Sequence, residues 1–476
     1  MSFSEIIAVL PLIILFVASV LVMLVIAWRR HHGLTATLTA AFLAGSFACM
    51  IAVEDRLPQK VGSLLIVDGY TAFFVCLVLA AAFAVVLLSY PYLESRNGRH
   101  EEYYLLLLIA TLGASILVAS AHFASFFLGL EILGVSLYAL IGYRGGLNGV
   151  EAAMKYLVLA AISSAFLLFG MALVYAQAGS LEFAKISERV SGGGVTMLLA
   201  GGLLITGIGF KLAVAPFHMW TPDVYEGAPA TVTAFIASVS KGAVFALLLR
   251  YFSVVDLHAA PTMLTAFSIL AALSMIVGNL LALLQDNVKR MLAYSSVAHL
   301  GYLLVAFVAS GPLRPVAVGY YLAAYFITIV GAFGVVAALS RQGRDVETAA
   351  DLTGLAWRRP WHAAVLTAML LSLAGIPLTA GFVGKFYLIA AGIGSDLWAL
   401  VLCLLAASAI GLYYYIRVIL ALFGQSGEEL SSVSVEPPSY LSGSVLTGLT
   451  LALVFIGVYP APLIAAIQAT ASRLMG

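Results

Sequence analysis

The segment TGIGFKLAVAPFHMWTPDVYEGAP, residues 206–229, places Lys211, Pro216 and His218 close together inside an almost continuous apolar sequence. Proline cannot donate a backbone hydrogen bond, and its ring clashes with the carbonyl four residues earlier, so we predict a break or kink within one turn of Lys211. At membrane depth, freed backbone groups are tolerated only against protein or a hydrated cavity. The segment therefore predicts an interrupted helix that holds an amine and an imidazole in a polar interior.

The composition of the whole chain is that of an integral membrane protein. Of its 476 residues, 63% are hydrophobic and only 9% are charged, whereas about 25% charged residues is usual in soluble proteins. Apolar runs of about 18 residues or more recur from end to end, and each can cross a hydrocarbon core about 30 Å thick. These runs lack the alternation of membrane barrel strands. The sequence therefore predicts an all-α fold.

Polar and Gly/Pro-rich breaks divide the chain into fourteen candidate spans and leave no soluble domain. We expect a single membrane domain, 1–476, with N-terminal helices in 1–100, two five-helix repeats in 103–251 and 262–423, and a last helix in 440–460. Because each repeat holds an odd number of spans, the second is inverted relative to the first. The predicted spans are 6–27, 34–53, 71–93, 103–120, 123–142, 151–176, 195–219, 229–251, 262–284, 289–309, 316–340, 361–393, 397–423 and 440–460.

The distribution of basic residues between the loops gives a prediction of orientation. Loops that follow odd-numbered spans hold eleven Lys and Arg residues, and the remaining loops and the termini hold seven. Basic residues are enriched on the cytoplasmic side of membrane proteins. We therefore expect the odd-numbered loops in the cytoplasm and both termini on the extracytoplasmic side.

Charge and cysteine usage narrow the possible functions. The formal net charge is +1 and no basic cluster is present, so nothing indicates nucleic-acid binding. Cys49, Cys76 and Cys403 are scattered without a C-x-x-C spacing. Neither a disulfide framework nor a zinc or iron–sulfur site is therefore indicated. We predict that the chain carries no cofactor, metal or redox centre of its own.

Five of the ionisable residues inside the predicted spans carry the functional interpretation. Glu131 is in span five, and Lys155, Lys211, Lys241 and Lys385 are in spans six, seven, eight and twelve. A charged lysine near the bilayer centre costs at least about 2.5–3.5 kcal/mol, so intramembrane charges generally mark ion or proton pathways. Distance to a carboxylate can switch a desolvated lysine between its charged and neutral forms. We interpret these residues as a proton relay, with His218 and His299 as further proton carriers.

A second interrupted span strengthens this interpretation. In SLAGIPLTAGFVGKFYL, residues 372–388, Pro377 follows Gly375 and precedes Gly381 and Lys385. Spans seven and twelve occupy matching places in the two inverted repeats, and paired interrupted helices of this kind point to a transporter's ion path. The correspondence is one of helix order only, because Lys precedes Pro in span seven and follows it in span twelve.

Each of these features also has a purely structural alternative. Intramembrane prolines are often no more than tolerated kinks. Lys155 could be a static partner of Glu131, and His218 or His299 could be a hydrogen-bonded core histidine. The coincidence of four lysines, a glutamate and two broken helices favours ion or proton translocation over these alternatives.

Three motifs give the chain a family resemblance over about residues 5–460. They are GFKLAVAPFHMWTPDVYEGAP, QDNVKRMLAYSSVAHLGY and SLAGIPLTAGFVGKFYL. With them the chain resembles the antiporter-like membrane subunits of bacterial respiratory complex I, the proton-translocating NADH–quinone oxidoreductase. DGYTAFF, EAAMKYLVL and the lysine at 385 make it most similar to the N type of these subunits.

The resemblance implies a non-redox translocase subunit in the bacterial inner membrane, which works beside other membrane subunits, including antiporter-like neighbours. The flavin, the iron–sulfur clusters, the NADH site and the quinone would belong to partner subunits. His218 would lie on the kinked part of span seven. The implied proton path contains Glu131, Lys155, Lys211, Lys241, His299 and Lys385.

Two alternative functions stay open at this point. A subunit of an antiporter that exchanges Na⁺ or K⁺ for H⁺ belongs to the same family, although alkali ions prefer oxygen ligands and the path here is rich in lysine. A structural membrane scaffold with static buried ion pairs is the alternative from another class.

Overall fold

The structure, a computed structural model, describes residues 2–189, 194–340, 345–424 and 439–471. In this part of the chain, thirteen helices are long and apolar enough to cross a membrane. Two shorter apolar helices, Pro360–Ala374 and Ala380–Ile393, follow one another where the sequence predicts span twelve. The all-α fold is therefore confirmed, and thirteen of the fourteen predicted spans have a helix of membrane-spanning length, while two shorter helices stand in place of the twelfth.

Most span boundaries lie within a few residues of their predicted positions. Several begin at a side-chain cap, as the Asp68 carboxylate accepts from the Thr71 amide at 2.8 Å and the Asn287 amide oxygen accepts from the Arg290 amide at 3.1 Å. Such caps satisfy backbone donors that a helix start leaves free. The spans are Leu10–Trp28, His32–Ala52, Gly69–Glu94, Glu101–Ala119, Phe123–Ile141, Leu147–Ala178, Val195–Leu212 with Trp220–Gly227, Ala230–Val254, Pro261–Leu283, Val288–Val308, Leu313–Leu339, Pro360–Ala374 with Ala380–Ile393, Trp398–Phe423 and Tyr440–Val458.

The remaining elements are short and lie between or beyond the spans. Gln59–Val61 pairs antiparallel with Leu65–Val67, so that Gln59 lies opposite Val67. Ala461–Ala471 follows span fourteen and packs against span three at Gly69 and span eleven at Gly319. The sequence analysis predicts neither the hairpin nor this last helix. The other short helices are Phe3–Ala8, Glu54–Arg56, Phe183–Arg189, Ala350–Leu352 and Leu355–Arg358.

The centre of the bundle is formed by spans eight, ten and eleven. Span eight is buried along its whole apolar stretch, and spans ten and eleven are buried along most of theirs. Spans one, two, six and fourteen are much more exposed. Polar side chains on the central spans are therefore enclosed by protein on all sides, which is where a relay can be isolated from both water and lipid.

Asp345, in the loop after span eleven, ties together basic groups from three other parts of the chain. Its carboxylate lies 3.1 Å from Arg96, 3.0 Å from Arg144 and 3.1 Å from Lys289, and the Tyr92 hydroxyl donates to it at 2.9 Å. These three basic residues are among those counted for orientation, but here they form a buried ion cluster instead of a solvated loop surface.

A second buried ion pair joins Arg250 to Asp68, with nitrogen–oxygen distances of 2.7 and 3.1 Å. Arg341, Arg344 and Arg473, which also enter the orientation count, lie outside the described residues. The predicted orientation stays a prediction, as do the boundaries of the two inverted repeats.

Candidate functional site

Span seven is interrupted where the sequence predicts it. The first helix ends at Leu212, Ala213 adopts a left-handed conformation with φ 60°, and helix resumes at Trp220. The Ala215 amide donates to the Ser274 hydroxyl at 2.9 Å, and the Trp220 indole donates to the Phe210 carbonyl at 3.0 Å. Two backbone groups at the break, the Ala215 amide and the Phe210 carbonyl, are thus satisfied by side chains, as membrane depth requires.

Lys211 lies in the last turn before this break and is only 6% exposed. Its Nζ has no hydrogen-bond partner among the described residues. It lies against span five, because a β-carbon placed on Gly134 would be 3.9 Å from it. Glu131 lies one helical turn before Gly134 and is the charged group that interacts electrostatically with Lys211. Lys211 therefore lies against the part of span five that carries Glu131.

The static pair of Lys155 with Glu131, which is the structural alternative for this lysine, is not formed in the structure. Ser164, not Lys155, is the residue of span six that reaches Glu131, with its hydroxyl 2.5 Å from the carboxylate. Nine residues along a helix correspond to two and a half turns, so Lys155 and Ser164 point to opposite sides. The Lys155 side chain is 44% exposed and pairs with Glu151 at 2.8 Å and Asp223 at 2.7 Å.

Asp223 connects Lys155 to a longer chain of ionic contacts. It lies on the second helix of span seven and also pairs with Arg290 at 2.9 Å. Arg290 in turn pairs with Glu226 at 2.7 Å, and the Glu226 carboxylate accepts a hydrogen bond from the side-chain amide of Asn287 at 3.1 Å. This network holds the second helix of span seven between span six and the start of span ten.

His218 lies in the turn between the two helices of span seven and is 5% exposed. Its ring faces the ring of Tyr294 on span ten edge-on, with 6.1 Å between the centroids. Lys241 is the charged group that interacts with it. His218 therefore lies on the kinked segment, as the sequence predicts, between the break and the bundle centre.

Lys241 is 1% exposed and follows a π-helical turn, Ile236–Ser240, within span eight. Single π turns inside α-helices are frequent at functional sites because they re-aim side chains. Gly242 lets span eleven approach closely, since a β-carbon there would lie 2.2 Å from the Phe326 ring. The π turn has no counterpart among the features predicted from the sequence.

The Ser296 hydroxyl on span ten is the hydrogen-bond partner of Lys241, at 2.8 Å. The Tyr325 hydroxyl donates to the same oxygen at 2.8 Å, and the Tyr225 hydroxyl lies 3.3 Å away. Ser296 therefore joins spans seven, eight, ten and eleven through one oxygen atom. The Lys241 amine is also 5.1 Å from the centre of the Tyr225 ring.

His299 lies one turn further along span ten and is 3% exposed. Its Nδ1 is 2.7 Å from the Tyr321 hydroxyl, and its Nε2 is 3.1 Å from the Tyr415 hydroxyl. Tyr415 is also hydrogen-bonded to Ser295. The ring of Tyr325 lies 5.4 Å from the imidazole, centre to centre. The imidazole thus stands between the Ser296 cluster and tyrosines from spans eleven and thirteen.

Lys385 is 7% exposed, and its amine is hydrogen-bonded to the backbone at the point where span twelve is interrupted. Its Nζ donates to the Ala374 carbonyl, at the end of the first helix, at 2.9 Å and to the Ser408 hydroxyl at 2.7 Å. The break leaves this carbonyl without a helical partner. The amine is 5.3 Å from the centre of the Tyr302 ring, and Tyr302 follows His299 on span ten.

The predicted break at Pro377 is also present. Gly375 adopts φ 83° at the end of the first helix, and Leu378 has φ 71° before helix resumes at Ala380. The Thr379 side chain caps the second helix by accepting from the Phe382 amide. Among the described residues, no group of three or more His, Cys, Asp or Glu could hold a metal ion.

Sequence reasoning overlooks the hydroxyl groups that separate the charged residues. A usable signal exists in YSSVAHLGY, because Ser295 and Ser296 lie four and three residues before His299 and share its helix face. The tyrosines come from other spans and can be assigned to the site only from the folded structure. The overlooked residues are Ser164, Tyr225, Ser295, Ser296, Tyr321, Tyr325, Ser408 and Tyr415.

Two interrupted spans, each with a buried lysine at the break, define the class of antiporter-like membrane subunits. A family described as NADH:quinone oxidoreductase/Mrp antiporter, TM, matches residues 120–411. The chain belongs to this family. The match includes all seven of the predicted relay residues and both prolines.

Solved structures with the same fold come from three kinds of membrane complex. A chain of respiratory complex I from Thermus thermophilus with bound aureothin is 34% identical, with 97% of this chain and 100% of that chain covered and a TM-score of 0.84. A chain of the membrane-bound sulfane sulfur reductase, an archaeal respiratory membrane complex, is 25% identical to this chain. The match covers 99% of this chain and 97% of that chain, with a TM-score of 0.87.

A chain of the Mrp complex from Dietzia sp. DQ12-45-1b is 19% identical to this chain. The match covers 100% of this chain and 98% of that chain, with a TM-score of 0.86. This third likeness concerns the fold alone. The three matches together show that the fold extends over essentially the whole chain, beyond the residues that the family description matches.

Proposed function

We propose that this chain is the N-type membrane subunit of a proton-translocating NADH–quinone oxidoreductase and that it moves protons through its buried lysines. The single observation that carries the proposal is the placement of Lys211, Lys241 and Lys385. All three are at most 7% exposed, and no carboxylate lies within ion-pair distance of their amines among the described residues. Static ion pairing therefore does not explain why they are retained in the core.

The groups between the lysines support a relay. From Lys241 the path continues through Ser296 and the tyrosines to His299, and the Tyr302 ring separates His299 from Lys385. Hydroxyl and imidazole groups both donate and accept hydrogen bonds. They can therefore pass on a proton that one lysine releases, while the apolar surroundings restrict its exchange with solvent.

The exposed network around Lys155 offers a way to drive this relay. A charge change beside Lys155 would act on Asp223, with which it pairs, and so on the second helix of span seven. Movement of that helix would alter the distance between Lys211 and Glu131, on which the protonation of Lys211 depends. In this proposal the Lys155–Asp223 pair, and not a contact between Lys155 and Glu131, couples the charge change to span seven.

In this function the chain works beside other membrane subunits, including antiporter-like neighbours, in the bacterial inner membrane, with both termini on the extracytoplasmic side. Quinone reduction in partner subunits, which hold the flavin and the iron–sulfur clusters, supplies the energy. The chain itself contributes to the enzyme as a translocase subunit and not as a redox centre.

A cation/proton antiporter subunit is the second candidate, because the family and the matched fold include Mrp antiporters. Exchange of Na⁺ or K⁺ calls for a cage of oxygen ligands. The central spans instead present ammonium groups, which repel these cations. The lysines thus favour protons as the transported ion.

The decisive experiment compares Lys211→Ala and Lys211→Arg in the complete membrane complex. A relay predicts that both variants assemble but neither pumps through this subunit, because a guanidinium keeps its proton at any physiological pH. Coupled NADH–quinone turnover should fall with pumping. Lys185→Ala is the matched control, since that lysine is 53% exposed and pairs with Glu182 in a short helix outside the spans.

A static scaffold predicts a different ranking of the two variants. Arginine would preserve the interaction with Glu131, whereas alanine would leave a buried carboxylate uncompensated, cost about 3–5 kcal/mol and reduce assembly. Normal pumping by Lys211→Arg together with failed assembly of Lys211→Ala would show that Lys211 is structural.

A further inference from the structure

The Ser296 hydroxyl has an unusual position for a small buried side chain. It is fully enclosed, and its oxygen receives hydrogen bonds from both the Lys241 amine and the Tyr325 hydroxyl at 2.8 Å. A buried serine on a helix ordinarily bonds a carbonyl of the preceding turn, as Ser136 bonds Ile132 at 2.8 Å. Ser296 instead directs its hydroxyl to three side chains of other spans.

A single hydroxyl between an amine and two phenols can respond to the charge on the amine. When Lys241 is charged, the amine can only donate, so the Ser296 proton must point elsewhere, and Tyr225 at 3.3 Å is available. When Lys241 is neutral, its lone pair can accept the Ser296 proton. The orientation of this O–H bond therefore follows the protonation state of Lys241.

We propose that Ser296 is a relay residue that carries protons between Lys241 and the Tyr325–His299 side of the path. This rests on the proposed function and assigns one step within it. The Tyr325 hydroxyl first turns away from Ser296, so that the Ser296 hydroxyl can donate to the Tyr325 oxygen. In one concerted step an N–H bond of Lys241 then breaks as an O–H bond forms on Ser296, while the old Ser296 O–H bond breaks as an O–H bond forms on Tyr325. In the same step the original Tyr325 proton passes to the His299 nitrogen that carries no proton, in place of the tyrosine hydroxyl that donates to this nitrogen in the structure. Lys241 thus loses one proton and His299 gains one.

The arrangement of the rings fits this sequence of transfers. Tyr325 donates to Ser296 in the structure, and its ring lies beside that of His299, tilted by 32° with 5.4 Å between the centroids. For the last transfer the phenol must swing from Ser296 towards the imidazole. Because the transfer can occur only after this reorientation, the swing of the phenol opposes an uncontrolled leak of protons along the path.

The test uses four variants in the complete membrane complex: Ser296→Ala, Ser296→Thr, Tyr325→Phe and Lys241→Ala. Ser136→Ala is the control, because that serine is buried and bonds only its own helix backbone. We expect Ser296→Ala and Tyr325→Phe to lower proton pumping and coupled turnover about a hundredfold at normal assembly, the lower end of what loss of a positioned proton-transfer group costs. Ser296→Thr, which keeps the hydroxyl, should stay within about twofold of the unmodified complex.

Assembly, pumping and the solvent deuterium isotope effect on turnover should be measured together. A larger isotope effect in Ser296→Ala marks slowed proton transfer, which a packing defect would not produce. Normal pumping by Ser296→Ala alongside inactive Lys241→Ala would overturn the role of Ser296 and leave the proposed function intact. Normal pumping by Lys241→Ala would overturn the proposed function itself. If the complex with Ser296→Ala does not assemble, the Tyr325→Phe variant provides the test. Normal pumping by Tyr325→Phe would refute the proposed transfer through Ser296 and Tyr325.

Discussion

Spans seven and twelve are both broken in the membrane and both carry a buried lysine, but the lysines relate to the breaks in different ways. In span seven, the Ser274 hydroxyl and the Trp220 indole bond the backbone at the break, and Lys211 makes no hydrogen bond within the described structure. In span twelve, Lys385 itself bonds the Ala374 carbonyl that the break leaves free.

This difference assigns different properties to the two amines. Lys211 can change its charge without disturbing the backbone, so its state depends mainly on burial and on Glu131. Lys385 cannot leave its position without also leaving a buried carbonyl unsatisfied, which is costly. Span seven therefore offers a responsive carrier, and span twelve offers a carrier held in a fixed place.

The ends of the two interrupted spans are also anchored by different chemistry. After the second helix of span seven, the Ala228 carbonyl accepts from Lys289 at 2.7 Å, and Lys289 also pairs with Asp345. After the second helix of span twelve, the Ser395 hydroxyl exchanges neutral hydrogen bonds with the Ser310 backbone at 2.9 and 3.1 Å. Span seven is thus held by ions and span twelve by neutral groups.

The largest expected effect comes from removing the ionic anchor. Asp345→Ala takes a nearly buried carboxylate away from Arg96, Arg144 and Lys289, and we expect it to destabilise the protein by about 3–5 kcal/mol. Ser395→Ala removes only neutral hydrogen bonds and should cost about 0.5–1.5 kcal/mol. Thermal unfolding of the two purified variants measures this difference in stability. Hydrogen exchange in residues 220–227 and 380–393 then shows which of the two second helices each substitution loosens.

Acid should reproduce this effect without a mutation. Burial alone would raise the pKa of Asp345, but the charges of Lys289 and Arg144 and the Tyr92 hydrogen bond lower it below its ordinary value. A carboxyl with a depressed folded-state pKa stabilises above its unfolded pKa of about 3.9, and this stabilisation is lost as pH falls through the lower folded value. The backbone amides of residues 220–227 should therefore stay protected from hydrogen exchange at neutral pH and lose this protection only below about pH 4. Loss of this protection between pH 7 and pH 5 would show that Asp345 does not anchor the second helix of span seven.

A smaller effect should separate the two lysines. Methionine is close to lysine in shape, and the Lys211 amine makes no hydrogen bond and no ion pair within the described residues. Lys211→Met therefore removes an uncompensated buried amine and should be neutral or stabilising. Lys385→Met removes charged donors from Ala374 and Ser408, and we expect it to be less stable than Lys211→Met by about 1.5–3 kcal/mol. Both variants should lose pumping. The midpoint of thermal unfolding of each complex provides the comparison, and equal midpoints would show that the two breaks do not differ.

Much of this fold can be predicted from the sequence because hydrophobic length and proline act locally. The fourteen spans and both breaks follow from apolar runs and from Pro216 and Pro377. The helix Ala461–Ala471 and the π turn Ile236–Ser240 do not, because they depend on packing against spans distant in sequence. A hydropathy window also averages over all faces of a helix, so it cannot reveal that Lys155 is exposed.

The candidate site can be predicted to a lesser extent. Lysines inside apolar runs stand out, and Lys211, Lys241 and Lys385 are buried as expected. Serine and tyrosine are common in membrane helices and carry no comparable signal in a single sequence. Only the structure shows that Ser296 and Tyr325, from different spans, meet at Lys241. Residues that cost energy are therefore easier to find than the neutral groups between them.

The smallest effect concerns the backbone at the break in span twelve. Gly375 has φ 83°, and a β-carbon there would lie 2.8 Å from Cδ and 3.2 Å from Nζ of Lys385. Gly375→Ala should cost about 1–2 kcal/mol for the left-handed conformation alone and should push the Lys385 amine away from Ala374. Pumping should fall further than stability explains, because the carrier is displaced.

Gly202→Ala in span seven is the matched control for this last prediction. Gly202 is helical and exposed, and no atom lies within 4 Å of an added β-carbon. Alanine there should be neutral or stabilise by up to about 1 kcal/mol and leave pumping unchanged. The two variants are compared by thermal unfolding and by pumping per electron transferred. If Gly375→Ala unfolds earlier but pumps normally, Lys385 does not need the position that the break gives it, and the proposed contrast between a responsive and a fixed carrier fails.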